Sequence, residues 1–337
     1  MTEDYRAIDK LNQSSLKKIL SSPRSYIKSK ESQDSNESYF VFGKVVDTIM
    51  LSPEKFDEEF LVTNVPEISD SLKLLCDYVI NYCEQSELKL NLEDPKVESI
   101  ILDAFEVHNY QNNWGDEAKI KNFKKNCTDY IKVIQQSNGK TIVSKEDYNR
   151  ALTCKAALLT DRKTSQYFKY IGKPTENVEV ITHKTVQFSH LELECKGELD
   201  GLVIDHKNKK IIPFDLKTTS QPVTMFPYQF WKLRYDFQAA FYTQGLNKDV
   251  DIINLITDGY SLESFRFVVV ETDCNSSPLI FETTEEVLNI GRYGGTLSNG
   301  KKVEGFEAAI NRYKFHSNIG EWDYPMEYYD GNLKIEI

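Results

Sequence analysis

Two aspartates and a lysine have a spacing that could support metal-dependent phosphate chemistry. The stretch 196–217 has the sequence KGELDGLVIDHKNKKIIPFDLK, in which two runs rich in β-branched residues flank a polar, lysine-rich turn. This pattern is typical of a β-hairpin. If the turn is centred on residues 207–208, Asp200 lies opposite Asp215, and Asp215 shares one face of its strand with Lys217. Two carboxylates opposite each other repel and should destabilise the hairpin.

A divalent cation between the two carboxylates would remove this repulsion. Mg²⁺ takes oxygen ligands and keeps waters for phosphate chemistry, and Lys217 beside it could orient an attacking water or stabilise a developing negative charge. In the same register Glu198 shares the face of Asp200 and lies opposite Lys217. The alternative is an exposed hairpin face with scattered charges. The apolar run 211–214 before Asp215 favours a half-buried strand instead. Charged side chains are rare in such a strand unless they are paired or functional.

The composition is that of an ordinary globular protein. The 337 residues are enough for one large domain or two. The net charge of −11 shows no overall basic field, although a basic groove can lie in an acidic body. The six cysteines form no C-x-x-C pair, which disfavours zinc and iron–sulfur sites, and their irregular spacing favours reduced thiols. The sequence shows no signal region and no membrane-spanning run, so we expect a cytoplasmic protein without membrane contact.

Helices are predicted for the first fifty residues. Asn12 or Ser14 can cap a helix with an apolar face, and the polar run 31–38 predicts a loop. Residues 39–51, YFVFGKVVDTIML, again show helical spacing, and Asp47 is their one acidic residue. An aspartate in such a run is usually an edge residue or a hydrogen-bonded core group. A functional role for it requires a partner elsewhere in the chain.

Residues 66–140 predict a separate, mostly helical insertion. Within it Trp114 and Phe123 accompany the most basic patch of the chain, formed by Lys119, Lys121, Lys124 and Lys125. A solvated helix face is the favoured explanation of this patch, and contact with a phosphate backbone is the alternative. Residues 143–170 predict a further helix.

The remaining segments alternate between strand and helix patterns. Strands are predicted over 177–195 and 265–271, and the last helix over 303–316. Residues 228–246 predict an aromatic-rich helix that Gly245 could end. Gln238 and Tyr242 lie four residues apart and share a face of this helix. The simplest interpretation is that the tyrosine packs in the core and the glutamine is exposed.

These motifs, in this order, resemble the RecE-type phage exonucleases of the PD-(D/E)XK nuclease superfamily. The resemblance covers most of the chain and rests on SSLKKILSSPRSY, FGKVVDTIMLSP, KGELD, FDLKTT, the spacing of Gln238 and Tyr242, and GEWDYP. It implies an α/β fold with a restriction-endonuclease-like core, in which helices flank a mixed central β-sheet. Residues 1–337 would form a single nuclease domain, with a catalytic core at about 141–275 and the insertion at 66–140.

The resemblance also implies roles for individual residues. Asp200 and Asp215 match the metal ligands of the family, and Lys217 matches its catalytic lysine. Gln238 and Tyr242 match an accessory motif that contacts DNA near the active site.

Two further carboxylates are candidates for the metal site. Glu179 falls where the family often has a strand carboxylate near the metals. The family's helical motif is G-x-x-x-H, whereas the same spacing from Gly43 ends here in Asp47. A carboxylate binds a hard cation as well as imidazole does, so Asp47 is expected to take part in metal binding.

The function implied by the resemblance is Mg²⁺-dependent hydrolysis of DNA phosphodiester bonds, with Mn²⁺ as a substitute. The enzyme would be a 5′→3′ exonuclease that acts on double-stranded ends in phage recombination, in the host cytoplasm. Its partners would be DNA ends, a single-strand annealing protein and further copies of the chain in a ring. Two alternatives stay open, namely an endonuclease or repair nuclease of the same fold, and a non-catalytic or inhibitory nucleic-acid-binding protein. Intact Asp200, Asp215 and Lys217 disfavour the second alternative.

Overall fold

The computed structural model describes residues 5–31, 38–329 and 331, and the chain divides into two compact units. One unit consists of Met1–Pro53 together with Arg150–Ile337, and the other is Glu54–Asn149. Among the described residues, no helix has the length and apolar character needed to cross a lipid bilayer.

Three helices open the first unit. They are α1 (Gln13–Ser21), α2 (Pro23–Glu31) and α3 (Ser38–Leu51). Asn12 caps α1, because its side-chain oxygen accepts the Ser15 N–H at 2.9 Å. The loop predicted over 31–38 falls largely on residues 32–37, which lie outside the described residues.

The second unit is mostly helical. Its elements are α4 (Phe56–Glu59), β1 (Phe60–Val62), α5 (Asp70–Gln85), α6 (Pro95–Val107), α7 (Asp116–Ser137) and β2 (Thr141–Val143). The three long helices bury a core of their own that includes Leu75, Phe105 and Phe123. Strands β1 and β2 pair in parallel, so this unit extends beyond residues 66–140 at both ends.

The chain then completes the first unit, which resumes at Arg150 inside the helix Lys145–Thr160. Its elements are α8 (Lys145–Thr160), β3 (Val178–His190), β4 (Leu193–Asp205), β5 (Lys210–Thr219), α9 (Phe226–Lys232), α10 (Tyr235–Leu246), α11 (Val250–Thr257), β6 (Ser261–Leu262), β7 (Arg266–Glu271), β8 (Leu279–Glu282), α12 (Glu285–Tyr293), β9 (Gly295–Thr296), β10 (Lys302–Val303), α13 (Phe306–Ile319) and α14 (Met326–Tyr329).

Two predicted helices differ from the observed ones. The helix predicted over 228–246 is divided into α9 and α10, because Arg234 between them has a left-handed backbone with φ of 57°. Helix α10 ends at Leu246, one residue after Gly245, and the helix predicted over 143–170 already ends at Thr160.

A six-stranded mixed sheet forms the centre of the first unit. Its order is β3-β4-β5-β7-β8, with β6 also beside β5. Strand β5 is parallel to β6 and β7, whereas β3, β4 and β5 form an antiparallel meander and β8 is antiparallel to β7. Helix α10 packs on β3 and β4, and α3 lies beside β5. A mixed sheet flanked by helices confirms the predicted α/β fold class.

The N-terminal segment is bound to this sheet. The Leu11 N–H donates to the Glu194 carbonyl at 3.0 Å, and the Lys196 N–H donates to the Leu11 carbonyl at 2.7 Å. Leu16 and Ile19 of α1 then pack into the main core with Phe241 and Phe306. These contacts place α1 next to β4 and α10.

Candidate active site

The register of the β4–β5 hairpin is the predicted one. Gly201 pairs with Phe214, and Asp205 pairs with Lys210, as expected for a turn centred on residues 207–208. Gly201 permits this pairing, because a Cβ there would lie 2.4 Å from the Phe214 ring. The paired ladder ends at Gly201 and Phe214, so the two strands separate just before the aspartates.

Asp200 lies outside both neighbouring ladders. On the β5 side, its Oδ2 atom accepts the Leu216 N–H at 2.6 Å, so a side chain replaces a strand-to-strand bond. On the β3 side, the pairing passes from Gly201 to Leu199 and omits Asp200 and His183, and His183 has φ of 50°. Such local departures from pairing re-aim side chains and are common near active sites.

The carboxylate of Asp215 is held from two directions. The side chain is only 1% exposed, and its Oδ1 atom contacts the Lys217 ammonium. The Gln238 amide Nε2 donates to Asp215 Oδ2 at 2.6 Å from helix α10. The Lys217 Nζ atom also lies 5.0 Å from the centre of the Tyr235 ring. Both the position and the orientation of Asp215 are therefore determined by neighbouring side chains.

Burial and neighbouring like charges both disfavour the ionised form of Asp200. Burial raises the pKa of Asp200 well above its usual range, and the carboxylates of Asp215 and Asp47 raise it further, whereas Lys217 and the Leu216 N–H partly offset these effects. Burial would lower the pKa of Lys217, but Asp215, Tyr235 and Asp200 outweigh burial and raise it. Lys217 therefore stays a cation among carboxylates that repel one another.

The structure brings Asp47 to this cluster. Asp47 on α3 is half-buried, and its charge is close enough to Asp200 to raise the pKa of that residue. Gly43 lies against β5, because a Cβ there would be 3.5 Å from Thr218 Oγ1. The direct role of Asp47 in metal binding stays a prediction.

Gln238 and Tyr242 are both buried, which corrects the expectation that Gln238 is exposed. Tyr242 packs beside Gly197 of the KGELD segment, where a Cβ would lie 2.9 Å from the tyrosine Cδ1 atom. The glycine thus leaves space for the ring. Direct contact of Gln238 and Tyr242 with DNA stays a prediction.

Glu179 does not join the cluster, which corrects its expected position. It pairs with Ile204, four residues along β4 from Asp200, and this spacing corresponds to about 13 Å. Its carboxylate instead lies 3.9 Å from His206 Nε2. The family resemblance predicted that Glu179 is on a strand near the site, but it did not predict how far along the sheet Glu179 lies from Asp200. Glu198 also differs from expectation, because the β4–β5 ladder ends at Gly201 and Phe214 and does not reach Glu198 and Lys217.

Lys17 and the Arg234–Asp236 pair were missed by the sequence analysis. Burial and repulsion from Lys217 lower the pKa of Lys17 to about 8; Arg234 adds repulsion, and Asp236 and Asp215 oppose these effects. Arg234 itself forms a two-point ion pair with the buried Asp236, with both shorter contacts at 2.9 Å. Lys17 belongs to an adjacent pair of helical lysines, and the sequence does not indicate which of the two faces the site.

The predicted basic patch near Trp114 is partly neutralised. Lys124 forms ion pairs with Glu93 and Glu98, each at 2.8 Å, and Lys119 is buried. Lys119 is therefore shielded from solvent, whereas Lys124 is partly exposed and its charge is offset by its two ion pairs.

The residues present fit Mg²⁺ better than a metal whose ligands are all supplied by protein side chains. Within the described part of the chain, no three carboxylate, imidazole or thiolate side chains converge into a ready-made metal centre. Mg²⁺ is commonly bound by one or two carboxylates together with waters and substrate phosphates. Asp200 and Asp215 supply such a pair, and their repulsion provides a physical reason for a cation.

A match to a protein family agrees with the fold. The family described as "PDDEXK-like domain of unknown function (DUF3799)" matches residues 72–293, which include Asp200, Asp215, Lys217, Gln238 and Tyr242 but not Asp47. A crystal structure of a "putative exonuclease" from Eubacterium rectale is 12% identical and has a TM-score of 0.34, over 91% of this chain and 96% of that chain. Among curated proteins, no sequence matches significantly.

The family match supports a nuclease as the broad function, within the PD-(D/E)XK superfamily. It spans well over half of the 337 residues. The chain is therefore a member of the PDDEXK-like family DUF3799.

Proposed function

We propose that the protein is a divalent-metal-dependent deoxyribonuclease that degrades DNA from double-stranded ends. The observation that carries the proposal is the position of Asp215. It lies where β4 and β5 separate, between Lys217 and Gln238, with Asp200 beside it. A carboxylate pair next to a cation that stays protonated is a set of groups that supports metal-dependent phosphodiester hydrolysis.

Asp200 and Asp215 would hold the metal, with Asp47 as a neighbouring carboxylate. A bound Mg²⁺ would supply a Lewis acid and a water of lowered pKa. Lys217 donates hydrogen bonds to the attacking water or to a non-bridging phosphate oxygen, and its charge offsets the charge that develops there. Gln238 fixes the orientation of Asp215, and Tyr242 supports the strand that carries Asp200.

Further features of the proposal come from the resemblance to RecE-type exonucleases. They are 5′→3′ polarity, a role in phage recombination with a single-strand annealing protein, assembly into a ring, and a cytoplasmic location. We also propose that residues 1–337 are one nuclease domain whose helical unit, Glu54–Asn149, is an insertion. Mn²⁺ is expected to replace Mg²⁺.

One assay tests the nuclease proposal. Linear duplex DNA labelled at either 5′ or 3′ ends, closed circular DNA and nicked circular DNA are incubated with Mg²⁺, Mn²⁺, Ca²⁺ or EDTA. We expect linear DNA to be shortened with Mg²⁺ or Mn²⁺, closed circles to persist, and little turnover with Ca²⁺, whose looser ligand shell positions water poorly. Cleavage of closed circles would show an endonuclease, and undiminished activity in EDTA would refute metal dependence.

Site variants provide the control for a contaminating nuclease. Asp215→Asn and Lys217→Ala should each abolish cleavage while the circular dichroism spectrum stays native. Lys210→Ala is the matched control, because Lys210 is on the same strand but pairs with Glu263 at 3.2 Å. Cleavage by Asp215→Asn at the wild-type rate would show that the site is assigned wrongly.

A further inference from the structure

Two segments of this acidic chain contain no aspartate or glutamate. Residues 10–30 and 216–235 lack acidic residues entirely, although the chain has 52 of them. The first segment carries six lysines and arginines, and the second carries three. Both border the candidate site, because Lys17 of the first is close enough to Lys217 and Arg234 of the second for their charges to interact. Within these segments Lys217 and Arg234 are ion-paired with Asp215 and Asp236. The cationic character that suits a polyanion at this border therefore comes from other side chains of the two segments, such as Lys17 and Lys232.

Helix α9 lies within the second segment and is anchored beside the site. The Gln229 Nε2 amide donates to Thr219 Oγ1 at 3.0 Å, and Thr219 follows Lys217 by two residues on β5. On its inner side Phe226 and Phe230 pack on Phe267, with ring centres 5.8 and 5.5 Å apart. The helix is therefore a fixed platform at the end of the strand that carries Asp215 and Lys217.

The outer face of α9 is apolar and cationic. Tyr228 is 66% exposed, and Met225 before the helix and Leu233 after it are 51% and 48% exposed. Lys232 is also exposed, one helical turn beyond Tyr228. Single exposed apolar residues are normal on a protein surface, but here three large ones surround a lysine next to a candidate site. The phosphodiester backbone suits the lysine, and an unstacked base suits the tyrosine ring.

We propose that this α9 face, formed by Met225, Tyr228, Lys232 and Leu233, binds unpaired nucleotides of the DNA substrate. The Tyr228 ring stacks on a base, Lys232 pairs with a backbone phosphate, and Met225 and Leu233 exclude water from the stacked base. The inference rests on the proposed nuclease function and extends it, because it assigns a single-stranded segment of the substrate to a surface beside the catalytic groups.

The test measures binding and cleavage separately on the full-length chain. Fluorescence anisotropy in Ca²⁺ gives the affinity for fluorescein-labelled oligo(dT) and for a blunt duplex of the same length. Tyr228→Ala should weaken oligo(dT) binding about 10-fold, as expected for the loss of one base–aromatic stack, and change duplex binding by less than about 3-fold. Tyr228→Trp should retain the wild-type affinity. Lys232→Ala should reduce the slope of log affinity against log salt by about 0.7, the value for one phosphate contact on a single strand.

Tyr293→Ala is the matched control, because Tyr293 is similarly exposed, at 57%, but lies on α12 outside the acid-free segments. Wild-type oligo(dT) affinity in Tyr228→Ala, in a protein that cleaves duplex ends, would overturn the inference and leave the nuclease proposal intact. The same holds if Tyr228→Ala changes only the oligomeric state in light scattering, which would show a protein interface. A wild-type chain that neither binds nor cleaves DNA would overturn both proposals.

Discussion

The side-chain amide of Gln238 donates to the carboxylate of Asp215 at 2.6 Å, which joins helix α10 to the strand with the candidate metal ligand. Both side chains are buried, so no bulk solvent competes for this bond. A hydrogen bond to a charged group is worth about 1.5–3 kcal/mol. Gln238 is thus a positioning residue, and its removal should lower both the catalytic rate and the free energy of unfolding.

We therefore expect Gln238→Ala to lower kcat about 10- to 100-fold with a small change in KM. Gln238→Glu should be at least as damaging, because it places a second carboxylate against Asp215. Single-turnover cleavage of an end-labelled duplex gives the rate. Gln187→Ala, an exposed glutamine on β3, is the control. Equal rates for Gln238→Ala and wild type would show that the hydrogen bond does not contribute to Asp215 function.

Asp200→Asn should stabilise the protein in EDTA at pH 7. Burial and the charges of Asp215 and Asp47 raise the pKa of Asp200, so its ionised form destabilises the fold at neutral pH. As the pH falls from the pKa of Asp200 in the folded state towards its pKa in the unfolded state, near 4, Asp200 becomes protonated in the wild type. The stability advantage of the variant then disappears. Thermal unfolding at several pH values measures the effect.

Asp205→Asn is the control, because it is expected to change the thermal stability in the opposite direction. Burial alone would raise the pKa of Asp205, but hydrogen bonds from Asn208 and from the backbone outweigh it, so the pKa is lowered. This substitution should lower Tm at pH 7. An Asp200→Asn variant that unfolds at a lower temperature than wild type in EDTA would contradict the assigned repulsion.

Lys17→Met should raise Tm at pH 7 and weaken DNA binding. The pKa of Lys17 is lowered to about 8, chiefly by burial and by Lys217, so the ammonium destabilises the fold below that pH. The cost disappears as the pH rises from 8 towards the unfolded value of 10.5. Wild-type DNA affinity should fall over the same range as the charge is lost. Lys18→Met, an exposed neighbour on α1, should change neither quantity appreciably. A loss of stability in Lys17→Met at pH 7 would contradict this account.

Asp47→Ala should raise the Mg²⁺ concentration required for half-maximal cleavage by about 10- to 100-fold, the effect typical of lost groups around a metal site. Asp47→His should retain part of the activity, because imidazole occupies this position in the resembling family. The same titration monitored by thermal shift gives a readout independent of turnover. If Asp47 only favours the helix dipole, the Mg²⁺ requirement stays unchanged and Tm falls slightly.

Gly197→Ala should destabilise the protein by about 1–3 kcal/mol, because the added methyl group would lie 2.9 Å from a Tyr242 ring atom. A double-mutant cycle with Tyr242→Leu tests this cause directly. The two losses should be less than additive, because the smaller side chain makes space for the methyl group. Strict additivity in urea unfolding would show that the glycine is required for another reason.

The hairpin could be predicted from the sequence because a polar, lysine-rich turn separates two runs rich in β-branched residues. Centring the turn on residues 207–208 fixes the register, and the pairing of Asp205 with Lys210 confirms it. The separation of the strands at Asp200 has no such signal, because it depends on the Leu216 N–H and on the backbone of His183. The local sequence pattern thus predicted the two aspartates. It did not predict the hydrogen bonds from the Leu216 N–H and the Gln238 amide that hold Asp200 and Asp215.

Other parts of the site depend on contacts that sequence spacing does not contain. Arginine is a good helix former, so the break at Arg234 is unexpected from propensity. Its left-handed backbone is held by the ion pair with Asp236 and by a 2.7 Å bond to the Glu304 carbonyl, seventy residues away. The burial of Gln238 likewise follows from the position of α10 on the sheet rather than from its residue type.

The pairing of Leu11 with β4 has a consequence for synthesis of the chain. On a ribosome that adds roughly 5–20 residues per second, Lys196 emerges about 10–40 s after Leu11, the residue to which it donates. During this interval the first helices lack β4, the strand to which this segment pairs, and the apolar faces of these helices are exposed. Residues Glu54–Asn149 emerge in the same interval and can form a core of their own. Gln238 emerges later still, so a nascent chain that stops before α10 carries the two aspartates without the amide that orients one of them.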